Sequence, residues 1–492
     1  MTHELRKSDS SIVPRKHPNN RAEQSNLAED VEGRELTKGN TIKQSRGWTQ
    51  SQVPLSQLLG RVRLAAERKD EKLNALWHHV YNRDCLRTAY RGLKRNSASG
   101  IDEMTWSEYG KNLESNLEDL SIRLRNGGFR AQPVKRVNIP KPDGRLRPIG
   151  IPVLEDKLVQ KATVAVLNAV YEGEFKNFSY GFRPGRRQHD ALDAVAVGIE
   201  KRKINWIVDA DIQGFFDALD HDWLIRFIEH RISDKRVIRH IIKWLKAGVL
   251  EEGELKTSYK GTPQGGSISP LLANIYLHYV LDLWVDSWRT RIAKGEVIIV
   301  RYADDFIVGF QYYKDAVRFK EELKRRLSKF NLSLHPQKTR LLNFGRFASR
   351  DRKEQGKGRP ETFDFLGFTH ICATTKAGRF KLKRRTMSQK LKGKIAGLKQ
   401  ELQNRLNKRI SEVGKWLRSV LLGHYRYYGV PGNESSLYAF RESVLHWWYN
   451  TLKRRGQNRK LRWDKMIRIA RDWLPYPKSY HPYPSERLIV RT

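Results

Sequence analysis

The chain has 492 residues, which is enough to bury a sizeable core and to form two or three structural units. Lys and Arg number 94 against 54 Asp and Glu, and the net charge of +40 predicts a polyanionic partner that is bound in a salt-dependent way. The chain lacks an apolar run of about 18 residues and a signal segment. Its two cysteines are too few for a disulfide scaffold or a cysteine-based zinc site. Composition therefore favours a cytoplasmic protein that binds nucleic acid and no membrane.

The N-terminal part divides into a polar arm and a helical extension. Residues 1–50 are polar and nearly free of aromatic side chains, which is typical of a disordered arm. Within residues 51–100, apolar side chains recur at helical spacing and predict two or three amphipathic helices. Residues 137–151 (V-N-I-P-K-P-D-G-R-L-R-P-I-G-I) then predict two short strands around a Pro-Asp-Gly turn. Helical and strand patterns alternate from there to about Phe368, so we expect a mixed helix and sheet unit.

The most informative segment is 297–310, V-I-I-V-R-Y-A-D-D-F-I-V-G-F. Two apolar runs flank Asp304 and Asp305, which predicts a hairpin with two adjacent carboxylates at its tip. Like charges this close repel each other, and a divalent cation would remove the repulsion. A solvated turn is the alternative for an isolated Asp-Asp pair. Enzymes that transfer nucleotidyl groups hold two Mg²⁺ ions with such carboxylates, and the neighbouring motifs favour this second interpretation.

A third carboxylate comes from segment 206–217, W-I-V-D-A-D-I-Q-G-F-F-D, which is an apolar strand leading into a turn. Strand alternation places Asp209 and Asp211 on the same face, so geometry alone does not choose between them. Two-metal chemistry needs a carboxylate that bridges both ions, and either residue could supply it.

Two loops have the composition of nucleotide-binding segments. The glycine-rich segment 261–270, G-T-P-Q-G-G-S-I-S-P, allows the backbone to approach a ligand, and Gln264 could reach a base or ribose edge. The basic segment 141–147, K-P-D-G-R-L-R, could clamp a triphosphate. In isolation the first is weak evidence, and the second would be a plain basic hairpin.

The part of the chain after about residue 370 is helical and basic. Apolar residues between 391 and 420 step by three or four positions, which predicts one long helix that extends to Tyr428. Residues 451–492 carry 12 Lys and Arg but only 3 acidic residues, interleaved with Trp and Tyr. This combination favours a nucleic-acid-binding surface over a linker.

Taken in order, these blocks resemble the reverse transcriptases encoded by bacterial group II introns. The resemblance covers about residues 55–450, and its blocks are K-P-D-G-R-L-R-P-I-G-I-P (141–152), F-S-Y-G-F-R-P-G-R-R (178–187), V-D-A-D-I-Q-G-F-F-D (208–217), G-T-P-Q-G-G-S-I-S-P-L-L-A-N-I-Y-L (261–277), R-Y-A-D-D (301–305), L-H-P-Q-K-T (334–339) and F-D-F-L-G-F (363–368). It implies an α+β right-hand polymerase fold. Fingers and palm would occupy residues 101–370, a helical thumb and maturase (X) domain residues 371–450, and the basic aromatic segment residues 451–492.

The resemblance also implies roles for single residues. The catalytic residues that hold two Mg²⁺ ions would be Asp211, Asp304 and Asp305, with Asp209 as a neighbour. The residues that bind the dNTP would be Lys141, Arg147, Phe216 and Gln264, with Arg145 as a further candidate and Lys338 facing the nucleotide phosphates. Phe216 would crowd the sugar 2′ position, unless the adjacent Phe215 exchanges roles with it. The primer grip would be Phe365, Leu366 and Gly367, although these residues also suit a core strand.

The function implied by the resemblance is RNA-directed DNA polymerase activity that copies intron RNA, together with assistance to splicing as a maturase. The partners would be structured intron RNA, an RNA template, a DNA primer and dNTPs, in a bacterial cytoplasm and on the nucleoid when DNA is engaged. Two alternatives stay open: a domesticated reverse transcriptase in defence or diversification, and a non-enzymatic RNA-binding splicing factor. Many relatives end in an endonuclease domain with paired cysteine ligands. Cys85 and Cys372 form no such pair, so we expect no endonuclease activity.

Overall fold

The computed structural model describes residues 12–14, 59–68, 71–140, 146–251, 254–256, 260–262, 265–455 and 461–490. The α-helices in these ranges are α1 (Gly60–Ala66), α2 (Trp77–Val80), α3 (Arg83–Arg91), α4 (Trp106–Tyr109), α5 (Leu113–Asn126), α6 (Leu154–Tyr171), α7 (Gln188–Lys201), α8 (Phe215–Ala218), α9 (His221–Glu229), α10 (Lys235–Lys246), α11 (Ser269–Leu277), α12 (Leu283–Arg291), α13 (Tyr313–Ser328), α14 (Ala348–Glu354), α15 (Ser388–Asn404), α16 (Ile410–Tyr428), α17 (Glu434–Lys453), α18 (Trp463–Trp473) and α19 (Pro484–Arg487). A 3-10 helix spans Gly110–Asn112 and a π-helix spans His278–Asp282.

The strands in the same ranges are β1 (Ile12–Pro14), β2 (Val134–Pro140), β3 (Leu146–Ile151), β4 (Trp206–Asp211), β5 (Val249–Glu251), β6 (Glu254–Lys256), β7 (Val297–Tyr302), β8 (Asp305–Phe310), β9 (Arg340–Asn343), β10 (Phe363–Phe365), β11 (Phe368–Thr374), β12 (Phe380–Thr386) and β13 (Leu488–Val490). They form four sheets, in the orders β1-β13, β10-β11-β12, β3-β2-β5-β6 and β7-β8-β4-β9. The chain therefore mixes helix and sheet, as the sequence predicts.

The central sheet, β7-β8-β4-β9, is antiparallel throughout. Strand β7 is buried along its whole length, which agrees with its nearly unbroken apolar sequence. Alternate side chains point to opposite faces, so Ile299 belongs to a core formed with helices α1–α6 and α8–α13, while Ile298 belongs to a second core with α7 and β10–β12. Cores on both faces hold the ends of these strands in a fixed position.

The described N-terminal residues form the predicted helices and the predicted pair of strands. Three helices, α1–α3, lie where two or three amphipathic helices were expected, and their buried side chains join the first core. The two strands around the Pro-Asp-Gly turn are β2 and β3, which pair antiparallel. Most of the arm at 1–50 lies outside the described residues. The structure describes only β1 there, paired antiparallel with β13.

The prediction of one long helix up to Tyr428 is wrong, because the chain forms α15 and α16 with a break at residues 405–409. The guanidinium of Arg455 donates to the backbone carbonyls of Leu406 and Lys408, which a continuous helix would have used internally. Apolar spacing continues across the break, so periodicity could not reveal it. No described helix is long and apolar enough to cross a bilayer.

Helices α15–α18 form a helical module around a third core. The predicted C-terminal binding segment contributes to this core, because Met466 and Ala470 of α18 are buried in it. Gly414 on α16 allows close packing, since a Cβ there would lie 2.5 Å from the ring of Trp473. Helix α18 is therefore integral to the module.

Candidate active site

The three predicted carboxylates lie together at one end of the central sheet. Tyr302 pairs with Asp305, so Ala303 and Asp304 form the two-residue turn between β7 and β8. Ala303 has a φ of 56°, the left-handed conformation that tight hairpins of this length favour. Asp305 pairs directly with Asp211 at the end of β4. Directly paired residues on neighbouring strands share a face, so these two carboxylates face the same side.

Burial and mutual repulsion raise the pKa values of the two carboxylates of the hairpin. Burial raises the pKa of Asp305 well above its ordinary value, and Asp304, Asp209 and Asp211 raise it further. Burial also raises the pKa of Asp304, with Asp211 adding to the effect and Arg147 opposing it. So much negative charge in one place favours a bound cation.

Two basic side chains, one just before β9 and one on it, bind the two aspartates of β4. The Nζ of Lys338 lies 2.8 Å from Oδ2 of Asp211, and Nη2 of Arg340 donates to Oδ2 of Asp209 at 2.8 Å. Asp209 pairs with Ile307 and Arg340, whereas Asp211 pairs with Asp305. The strand register therefore separates the two residues that alternation had left equivalent, and Asp211 is the one opposite Asp305.

Within the described ranges, no three His, Cys, Asp or Glu side chains are already grouped as metal ligands. Lys338 binds one oxygen of Asp211, which leaves the second oxygen of this carboxylate for a metal ion. The side chains at the hairpin nevertheless fit a divalent cation. Asp211, Asp304 and Asp305 offer only carboxylate oxygens, the ligands that Mg²⁺ prefers, and a cation would offset the raised pKa values of Asp304 and Asp305.

A buried ion pair between Arg301 and Asp282 stabilises the hairpin turn. Arg301 and Asp282 are both 0% exposed, and the guanidinium donates to the two carboxylate oxygens at 2.7 and 2.5 Å. Arg301 also donates to Oδ1 of Asn274 and to the carbonyl of Ala303 in the turn, each at 2.9 Å. Sequence reasoning missed this residue. Its signal was a single charge within an apolar strand, which is costly unless it is paired.

The segment 178–181 packs against the same turn. The backbone N–H of Arg301 donates to the carbonyl of Phe178, and the backbone N–H of Tyr180 donates to the carbonyl of Arg301, at 2.8 Å in each case. A Cβ on Gly181 would lie 2.3 Å from the backbone nitrogen of Ala303, so only glycine fits there. The Nδ2 of Asn274 donates to the carbonyl of Gly181 at 2.7 Å. The block F-S-Y-G-F-R is thus part of the support for the hairpin.

The predicted dNTP-binding residues are only partly described. Lys141, Arg145 and Gln264 lie outside the described residues. Arg147 is exposed on β3, close enough to lower the pKa of Asp304. Phe215 is 2% exposed and packs edge-on against Tyr276, whereas the neighbouring Phe216 is half-buried. Phe215 is thus a core residue, and Phe216 is the more accessible of the two.

The predicted primer grip divides into a core residue and a turn. Phe365 is 1% exposed and belongs to the second core. Leu366 and Gly367 form the two-residue turn between β10 and β11, with φ values of 48° and 79°. Their part in primer binding stays a prediction.

The chain matches known proteins over the region that carries this site. Residues 139–370 match the family model described as reverse transcriptase (RNA-dependent DNA polymerase). This range includes the carboxylates, their hairpin and the turn at Leu366. The fold and the match therefore define a polymerase of the reverse transcriptase class, whose members in general depend on divalent metal ions.

Three relatives narrow the class. The chain is 38% identical over 242 residues to the group II intron-encoded protein LtrA of Lactococcus lactis subsp. cremoris, which covers 47% of this chain and 39% of LtrA. It is 33% identical over 276 residues to protein YkfC of Escherichia coli K12, and the alignment covers 49% of this chain and 71% of YkfC. It is 26% identical over 223 residues to nuclear intron maturase 3, mitochondrial, of Arabidopsis thaliana, and the alignment covers 39% of this chain and 31% of the maturase. The chain belongs to the group II intron family of reverse transcriptases and maturases.

Proposed function

We propose that this protein is an RNA-directed DNA polymerase encoded by a group II intron, which copies intron RNA into DNA and assists its splicing. One observation carries the polymerase proposal: Asp211 and Asp305 are direct cross-strand partners, with Asp304 in the adjoining turn. Raised pKa values at Asp304 and Asp305 support a cation-binding role. The aligned region spans only 39% of LtrA, so activity and partners are inferred for this chain by analogy with the family.

In this proposal the three carboxylates would hold two Mg²⁺ ions, which would activate the primer 3′ hydroxyl and neutralise the leaving pyrophosphate. Lys338, which binds Asp211 in the structure, would face the nucleotide phosphates. Lys141, Arg147 and Gln264 would bind the incoming dNTP. The aromatic ring of Phe216 would exclude a ribose 2′ hydroxyl and so favour deoxynucleotides.

The proposed architecture assigns fingers and palm to residues 101–370 and the thumb and maturase domain to residues 371–450. Residues 51–100 would form the N-terminal extension, and residues 451–492 a nucleic-acid-binding segment. The net charge of +40 supports binding to intron RNA and to a primer–template duplex. Exposed aromatic side chains such as Trp463 on α18 and Tyr476 shortly after it could stack on bases.

Primer extension tests the activity. Purified protein would be given poly(rA)/oligo(dT), dTTP and Mg²⁺, beside the variant Asp304→Asn. We expect the variant to lose at least about 1,000-fold in extension rate, because catalytic metal ligands supply several kcal/mol of barrier reduction. It should still bind RNA, since one carboxylate contributes little to a surface with this much positive charge.

Asp222→Asn is the matched control, because Asp222 lies on α9, outside the carboxylate group, and loses the same charge. It should extend at the wild-type rate. Wild-type-like extension by Asp304→Asn would reject the metal assignment. Tight RNA binding with no extension by the wild-type protein would reject the polymerase and leave an RNA-binding splicing factor.

A further inference from the structure

The turn formed by Leu366 and Gly367 has an unusual backbone. Leu366 has a φ of 48°, which is rare for a residue with a side chain and persists only where neighbouring groups hold it. On either side, Phe365 and Phe368 are buried in the second core. Packing therefore fixes where the turn begins and ends, while its peptide groups depend on other contacts.

Both carbonyls of the turn accept hydrogen bonds from outside it. The hydroxyl of Tyr427 donates to the carbonyl of Leu366 at 2.8 Å, and the backbone N–H of Met387 donates to the carbonyl of Gly367 at 3.0 Å. The Tyr428 hydroxyl is also close, since a Cβ on Gly367 would lie 3.0 Å from it. The last turn of α16 thus contacts both residues.

Tyr427 is itself held by the central sheet and its covering helix. Its backbone carbonyl accepts a bond from Nε2 of His189 on α7 at 2.8 Å, and the two rings meet edge-on at 5.1 Å. Tyr427 also packs against the second core, which includes Tyr302 and Ala303 of the carboxylate hairpin. One side chain therefore joins the helical module, the turn and the end of the hairpin that carries the carboxylates.

We propose that Tyr427 is a positioning residue that sets the Leu366 turn, and with it the primer 3′ end, relative to Asp305. The proposal rests on the proposed polymerase function, because it takes the turn to be the primer grip. In the part of the chain that the structure describes, the Tyr427 hydroxyl bonds to the turn and to none of the three carboxylates. It acts by fixing the Leu366 carbonyl between two parts of the molecule that different cores stabilise.

The test compares Tyr427→Phe with Tyr425→Phe, a control from the same helix. Tyr425 also donates through its hydroxyl to a backbone carbonyl, that of Pro475 at 3.1 Å, but away from the turn. Each variant loses one hydrogen bond, so both should lose similar thermal stability. At saturating primer–template and dNTP, we expect Tyr427→Phe alone to add a single nucleotide about tenfold more slowly, because small misplacements of reacting atoms are costly. Its affinity for the duplex should be unchanged.

A second measurement does not depend on activity. Amide hydrogen exchange across residues 363–370 should be about fivefold faster in Tyr427→Phe than in wild type or Tyr425→Phe. Equal rates of nucleotide addition and equal exchange in the two variants would overturn the proposal. If the wild-type protein does not extend a primer but exchange still rises only in Tyr427→Phe, the polymerase function fails while the hold of Tyr427 on the turn stands.

Discussion

At the scale of single residues, Arg301 shows how one buried charge can organise a site. It lies in a strand that is otherwise apolar or aromatic, and its guanidinium satisfies Asp282, Asn274 and the Ala303 carbonyl together. Asp282 is the last residue of the π-helix, an irregularity that often marks functional regions of helical segments. The pair links this segment to the hairpin turn, next to Asp304.

Replacing Arg301 by Lys should be strongly destabilising. The lysine ammonium cannot reproduce the bidentate bond to Asp282 or reach three partners at once, so buried acceptors would be left unsatisfied. We expect the free energy of unfolding in urea to fall by about 3 kcal/mol. Arg318→Lys is the control, because its pair with Glu322 is exposed and should change stability by less than about 0.5 kcal/mol. A similarly small change in both variants would contradict the importance of the buried pair.

At the scale of elements, the carboxylate hairpin depends on the segment that packs against its turn. Gly181→Ala places a methyl group against the backbone of Ala303, which cannot move without shifting Asp304. We expect extension to slow by about 100-fold, the order of effect of a misplacement of about 1 Å. Gly173→Ala is the control, since a Cβ there meets nothing within 4 Å. An unaffected rate in Gly181→Ala would show that the turn tolerates displacement.

At the scale of the whole molecule, charge should dominate binding to nucleic acid. The net charge of +40 is spread over the chain, and neutralising 6–10 phosphates would make affinity fall by about 10³–10⁵ between 50 and 200 mM salt. We expect this slope for structured RNA in a filter-binding titration, and the same slope for Asp304→Asn. A nearly flat salt dependence would contradict a binding surface built on Lys and Arg.

Much of the site could be predicted because it is encoded locally. Apolar runs around Asp304 and Asp305 indicated a hairpin, and period-two alternation indicated that Asp209 and Asp211 share a face. The helix break at 405–409 could not be predicted, since it depends on Arg455, about 50 positions further along the chain. The burial of Phe215 instead of Phe216 depends likewise on contacts such as that with Tyr276.

The sequence by itself determined the class of protein, the strands and the carboxylates, because motif spacing and hydrophobic period are properties of short stretches. The tertiary structure alone decided that Asp211, and not Asp209, stands opposite Asp305, because strand register is set by pairing between distant segments. It also decided that Asp282 neutralises Arg301 and that Tyr427 holds the Leu366 carbonyl. These partners are distant in sequence, and only the folded backbone brings them within hydrogen-bonding distance.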